Sequence, residues 1–229
     1  MEKRIDAVVV LSGGQDSATC LFWAIACWGA QHVEAISFDY GQRHLSEIAA
    51  ASEIAAHAGV EHQVVNLKGL RVAASALTSP QIDVKADGGL NNLPSTFTPC
   101  RNLVFLGTAA ARAISIGARR LVTGVCQTDY SGYPDCRRDF VDAMEVAIRL
   151  GNGLEDFSIN TPLMELSKAE TVKMAQRLAK DLPDLDVMRA LGRTVTCYHG
   201  QRPGCGTCPA CVLRAKGFAE AGIADPAGR

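Results

Sequence analysis

The chain predicts an α/β fold, a parallel sheet with helices on both faces, carrying a small cysteine-bearing tail. Two observations predict it. Short β-branched runs alternate with longer alanine- and leucine-rich stretches of helical length, and that alternation builds parallel sheets through right-handed crossovers. The first run, Val8-Val9-Val10-Leu11, ends abruptly in Ser12-Gly13-Gly14 and passes straight into a helical segment. Ligands in such folds sit beyond the C-terminal ends of the strands.

In chain order, Ile5–Leu11 reads as a buried strand and Asp16–Trp28 as a helix apolar on all sides, as for packing on a sheet. His32–Phe38 is a second strand ending at Asp39, His44–Ala58 an alanine-rich helix, and His62–Leu67 a third strand. Residues 68–100 break the rhythm with Pro80, Asp87-Gly88-Gly89, Pro94 and Pro99. A long irregular insertion in a compact domain is commonly functional, and this one reads as a loop or lid near the site. Arg101–Gly117 resumes as helix, and Arg120–Gly124 is a strand. Arg138–Leu150 is a helix, and Phe157–Asn160 a short strand closed by Thr161-Pro162. Ser167 and Glu170 form a capping box that opens a helix to Lys180. The tail is rich in glycine, proline and cysteine. The division expected is an α/β domain over residues 1–190 and a small zinc-binding helical subdomain over 191–229.

Composition narrows the function. With 48% hydrophobic and 21% charged residues, a packed globule is expected. The net charge of −1 argues against a face built for a long nucleic-acid backbone, so no tRNA binding is expected. Apolar runs are too short for a membrane span, and the N-terminal stretch lacks a signal-peptide pattern, which reads as cytoplasmic with no membrane partner. The nine cysteines are then thiols or metal ligands rather than disulfides.

The loop at 12–17 strips side chains from a helix start and exposes backbone N–H groups at the positive end of the dipole, an anion site. Ser12 and Ser17 add hydroxyl donors. A Walker-type loop requires Gly-Lys-Ser/Thr, and no lysine is present. A dinucleotide fingerprint requires a third glycine, and Asp16 stands there, although Asp39 lies where a ribose-binding acid would. Ser-Gly-Gly-x-Asp-Ser matches a pyrophosphatase loop at every position, and enzymes with that loop split ATP between the α and β phosphates. Lys168, in the first turn of its helix, opposes the dipole, which an anion nearby would explain. Arg101 starts a helix and could clamp a carboxylate or phosphate. Tyr40, Gln42, Arg43 and His44 mix a ring, an amide and a guanidinium at one strand end. Asp129, Tyr130, Tyr133 and Asp135 at another suit a planar, donor-rich base.

Cys205-Gly206-Thr207-Cys208-Pro209-Ala210-Cys211 matches a metal knuckle. Zinc takes four ligands in a tetrahedron; Cys197 is the natural fourth and His199 the rival. Cys20, Cys27, Cys126 and Cys136 are scattered and read as core or surface thiols.

Taken together, Leu11–Ser17, Phe38–His44, Thr123–Cys126 with Thr128–Arg137, Thr161–Met164 with Lys168–Glu170, and Thr196–Tyr198 with the cysteine cluster resemble the QueC family of 7-cyano-7-deazaguanine synthases. The resemblance implies an adenine nucleotide alpha hydrolase-like (Rossmann-like) fold. It also implies a ligase that joins ammonia to 7-carboxy-7-deazaguanine at the expense of ATP, through an adenylated carboxylate and an amide. ATP would span Leu11, Ser12, Gly13, Gly14, Gln15, Asp16, Ser17, Ala18, Thr19, Cys20 and Leu21, with Asp39 and Gly124, and carry Mg²⁺. Asp16, Lys168 and Arg101 would act in catalysis. Tyr40, Gln42, Arg43, Arg101, Asp129, Tyr130, Tyr133 and Asp135 would hold the substrate. One zinc on Cys197, Cys205, Cys208 and Cys211 and a homodimer are also implied. One departure stands out: the family tends to have glycine or alanine before the Arg-Asn pair, and this chain has Cys100. The competing readings are a tRNA-modifying ATP pyrophosphatase such as a thiolase, which Cys100, Cys126 and Cys136 would serve, and a non-catalytic zinc-bearing binding module.

Overall fold

The computed structural model describes residues 4–42, 44–68, 75–79, 81–83, 93–128 and 132–228. The sheet has five strands: β1 (Ala7–Val10), β2 (Val33–Asp39), β3 (Glu61–Asn66), β4 (Arg120–Val122) and β5 (Ser158–Asn160). Their order is β3-β2-β1-β4-β5 and the strand pairs are parallel, with Ala7 opposite Val33 on one side and Arg120 on the other. The predicted α/β architecture is therefore the observed one. Sequence order reverses direction at β1, whose neighbours are β2 and β4. That is the switch point where a crevice opens at the strand ends.

Alternation along β1 feeds two cores. Ala7 and Val9 face one cluster with α1 (Gln15–Trp28), α2 (Ser46–His57), α5 (Lys168–Asp181), α6 (Val187–Gly192) and α7 (Pro209–Ala221). Val8 faces the other, with α3 (Arg101–Ser115) and α4 (Arg138–Asn152). A strand buried on both faces reads as a continuous apolar run, and hence Val8-Val9-Val10-Leu11 shows no polar alternation. β3 lies at the sheet edge, and its Val64-Val65 pair is flanked by Glu61, His62 and Gln63 on one side and Asn66 on the other.

The pattern of apolar residues located the strands and the long helices of the α/β domain; the tail was expected to be helical, without bounds for α6 and α7. α7 begins within the cysteine knuckle, at Pro209, and its Phe218 is buried in the same cluster as Val172 and Leu178 of α5. Gly217 permits the contact, because a Cβ there would lie 2.4 Å from Cγ of Lys168. Arg214 anchors the end of the chain. Its side chain is fully buried and pairs with Asp225 through two bonds of 2.7 Å, while donating to Thr194 at 2.6 Å and to the Leu191 carbonyl at 3.2 Å. Removing one member of such a pair leaves a buried charge uncompensated. Asp225→Ala is expected to cost ~3–5 kcal/mol, read as a lowered urea midpoint.

Candidate active site

The turn after β1 forms the floor. Gly13 has φ +85° and packs so closely on the start of α2 that a Cβ would lie 2.1 Å from the Glu47 carbonyl oxygen. Glycine is required there by both conformation and space. The two serines stitch the turn: the Ser12 N–H donates to Oγ of Ser17 at 3.1 Å, the hydroxyls lie 3.0 Å apart, and Oγ of Ser17 donates to the Gly14 carbonyl at 3.1 Å. Gly14 is the N-cap of α1 and brings no side chain to its first turn. Gly124 follows β4 and passes so near that a Cβ would lie 3.0 Å from the Ser17 nitrogen. Strand ends from β1 and β4 thus meet the helix start edge to edge.

Lys168 explains its own position. It opens α5 behind the Ser167–Glu170 capping box, and its Nζ donates to both carboxylate oxygens of Asp16 at 2.9 and 2.8 Å. The anion that offsets the dipole is therefore, at least in part, the loop's own aspartate. Ser12, Gly14, Gln15, Asp16, Ser17, Gly124 and Lys168 line one cavity of about 760 Å³ together with Tyr40, Arg101 and Tyr133. Gln15 is 3% exposed, and neither atom of its side-chain amide has a hydrogen-bond partner among the described residues. Buried polar atoms are seldom left so, and an amide in a cavity wall suits a bound polar group.

Arg101 starts α3 and is walled by polar neighbours. Burial opposes its charge, but Tyr40, Asp135, Cys136 and Tyr133 outweigh burial and hold the guanidinium above its usual value. Nε of Arg101 is buried without a partner. Asp135 does not face a vacant wall: it accepts from the Asn102 N–H at 3.4 Å, so it caps the start of α3 beside Arg101. Burial raises its carboxyl pKa and Arg101 pulls it back. Tyr40 packs its ring on Phe105 with centroids 5.3 Å apart, and burial raises its hydroxyl pKa. The Tyr133 hydroxyl bonds to Thr96 of the insertion, and Leu77 from the same insertion lines the cavity. Residues 69–74, 80 and 84–92 of the expected lid lie outside the described residues, as do Arg43, Asp129 and Tyr130.

Other expected site residues sit elsewhere. Leu11, Ala18, Thr19, Cys20 and Leu21 are fully buried beneath the loop, where they fill the core. Asp39 is engaged by Lys68 at 2.8 Å and by the Gly41 N–H at 3.2 Å; the Lys68 bond lowers its pKa. Gln42 spends its amide on the turn, accepting from the Tyr40 N–H at 3.0 Å and donating to the Phe38 carbonyl at 3.2 Å. Glu47, Asn102, Thr196 and Tyr198 also line the cavity; Thr196 and Tyr198 fall in a stretch that carries the family resemblance, but none of the four was expected as a site residue. Glu47 carried a signal, since it falls in the first turn of the helix that follows the polar cluster at Tyr40–His44.

Cys100 is the N-cap of α3 with φ +60°, the sole non-glycine residue in the left-handed region among the described residues. That strain is the physical reason glycine suits this position. Cys100→Gly relieves roughly 1–2 kcal/mol of left-handed strain and loses about 0.4–1 kcal/mol to a freer unfolded chain. A net gain near 0.5–1 kcal/mol is expected, read by thermal unfolding. Cys136, beside Arg101, is pushed up to about 12 by burial, with Asp135 adding to it, so it rests as a neutral thiol. A cysteine-based thiolase chemistry calls for the opposite.

The Sγ atoms of Cys197, Cys205, Cys208 and Cys211 all lie within 4.8 Å of one another. A tetrahedron with Zn–S bonds of ~2.3 Å has sulfurs roughly 3.8 Å apart, so the set fits a metal ion after a small contraction. Backbone N–H groups already point at the sulfurs: Cys205 donates to Sγ of Cys197 at 3.4 Å, and Cys208 to Sγ of Cys205 at 3.3 Å. The Thr207 hydroxyl, with the Cys208 N–H, pulls the Cys205 thiol down to about 5. All four positions are filled by sulfur, and His199 is not among them. These four cysteines could hold a metal ion.

Comparison with known proteins decides the family. A family model described as queuosine biosynthesis protein QueC matches residues 6–222. The chain belongs to the QueC family. It is 53% identical to the 7-cyano-7-deazaguanine synthase of Chromobacterium violaceum over 225 residues, covering 96% of this chain and 92% of that one. It is 47% identical to the protein of the same name from Bacillus subtilis (strain 168), covering 95% of each. For this QueC-family chain, no helix among the described residues is long and apolar enough to cross a membrane.

Proposed function

We propose that this chain is an ATP-dependent ligase that converts 7-carboxy-7-deazaguanine and ammonia to 7-cyano-7-deazaguanine, releasing AMP and diphosphate. The observation that carries the reading is the Asp16–Lys168 pair, set in the wall of the same cavity as Arg101 and an uncapped helix start. The family relatives bear the synthase name, which supports the substrate class.

A carboxylate is a poor electrophile. Transfer of AMP to its oxygen makes a leaving group, and diphosphate departs from the α-phosphorus. The N–H groups of residues 13–17, Lys168 and Arg101 would stabilise the charge that develops on the phosphates and on the acyl oxygen. Magnesium carried on the ATP phosphates would neutralise part of their charge. Ammonia then displaces AMP to give the amide. A second ATP activates the amide oxygen, and loss of AMP leaves the nitrile. Tyr40 and Tyr133 supply faces and hydroxyls for a planar purine-like base, while the apolar walls from Phe105 and Leu77 exclude water from the adenylate. Arg43, Asp129 and Tyr130 remain proposed substrate contacts, and Asp39 a proposed ribose contact.

Zinc is proposed for the four-cysteine site as a structural ion, since no ligand position is left open for chemistry. A cytoplasmic homodimer is the expected form; a sedimentation mass equal to one chain would contradict the dimer. The reaction itself is tested with ATP, magnesium, ammonia and 7-carboxy-7-deazaguanine. Mass spectrometry is expected to find the nitrile and AMP, and ADP in place of AMP would overturn the reading.

A further inference from the structure

Ammonia adds to an acyl carbon as a neutral amine and leaves an N–H proton to be removed, so the adenylate reading calls for a base that its phosphate-binding groups do not supply. Asp16 is tied to Lys168 by two short bonds, and Asp135 caps α3 beside Arg101. Glu47 is different. It sits in the first turn of α2, with its own carbonyl pressed against Gly13 of the phosphate loop. Glu47 lines the cavity with Asp16, Tyr40 and Arg101. Among the described residues no hydrogen bond engages its carboxyl group.

We propose that Glu47 is the proton acceptor of the amide-forming step, an inference that rests on the ligase reading above. Nitrogen of ammonia bonds to the acyl carbon of the adenylate, the C–O bond to AMP breaks, and AMP leaves with the electron pair. One N–H proton passes to the Glu47 carboxylate, which returns it to solvent before the next turnover. The electrostatic setting agrees: burial raises the Glu47 carboxyl to about 7, against the pull of Arg101, which places its proton affinity near the working pH. The charged and titratable groups around it are Arg101 from α3, Tyr40 from the turn after β2, the Asp16–Lys168 pair from α1 and α5, Tyr133 and Tyr198 on the far walls, and His44 just before its own helix.

The test separates activation from amidation in E47Q. Substrate-dependent exchange of labelled diphosphate into ATP, measured without ammonia, reports adenylation alone. It is expected to stay within about threefold of wild type, which also shows that the variant is folded. Single-turnover amide formation is expected to fall by ~10²–10⁴-fold. Hydroxylamine yields an adduct that sheds its proton readily to water, so hydroxamate formation is expected to fall far less. At fixed free ammonia the wild-type amide rate is expected to drop as pH falls through the Glu47 titration, and the E47Q rate to stay flat. Amide formation within threefold of wild type would overturn the proposal, as would an exchange loss in E47Q as deep as the amide loss. Absence of exchange in the wild-type protein would instead overturn the ligase reading beneath it.

Discussion

Asp16→Ala is expected to lower AMP formation by about 10³-fold while leaving the metal content of the cysteine cluster unchanged. The carboxylate holds Nζ of Lys168 through both oxygens, and the Lys168 side chain is only 10% exposed. Without Asp16 the ammonium loses the two charge-assisted hydrogen bonds that set its position beside the loop. It then shifts toward ground-state phosphate rather than the charge that develops in transfer. The loss is therefore expected in kcat, with KM for ATP changing little. The cysteine cluster is assembled from a different segment, so the zinc proposed for it is a built-in control. Turnover at the wild-type rate would remove the loop from the chemistry.

Cys208→Ser is expected to release the metal and unfold the start of α7. Cys208 is the N-cap of α7, and Sγ of Cys211 lies in that helix's first turn, so the cluster fastens α7 to the Thr196–Tyr198 segment. Structural zinc in small peptides supplies on the order of 10–16 kcal/mol. Here part of that is duplicated by the buried Arg214–Asp225 pair and by Phe218, so the body of the fold should survive. Metal analysis is expected to give less than a tenth of an ion per chain, with greater proteolysis around residues 197–211. Because Thr196 and Tyr198 line the cavity, turnover should fall as well. A full equivalent of metal in the purified variant would contradict the four-sulfur site.

Much of this was legible in the sequence because the physics is local. A β-branched run buried on both faces has no polar alternation to mislead, and Ser-Gly-Gly-x-Asp-Ser writes its turn and helix start into adjacent residues. The capping box and the cysteine spacing are likewise short-range. What was not legible depends on distant partners. Lys168 and Asp16 lie 152 residues apart, and the sequence showed only that the lysine wanted an anion. Asp135 and Gln42 looked like ligands to a base, yet their polar atoms are committed to a helix start and to a turn. The tail was expected to be helical, but the start of α7 was not placed, because its first residues are the knuckle's own Pro209 and Cys211, and it packs on both the cysteine cluster and the main core. Glu47 was passed over because an acidic residue in a first helical turn is common. Its place in the cavity wall exists only once α2 packs against the phosphate loop.

The proposed reaction places AMP on the substrate's own oxygens. It is tested most directly with 7-carboxy-7-deazaguanine carrying ¹⁸O in both carboxylate positions. Two AMP molecules per nitrile are expected, each carrying one ¹⁸O atom in its phosphate, with no label in the diphosphate. Unlabelled AMP, or label appearing in inorganic phosphate beside ADP, would contradict it.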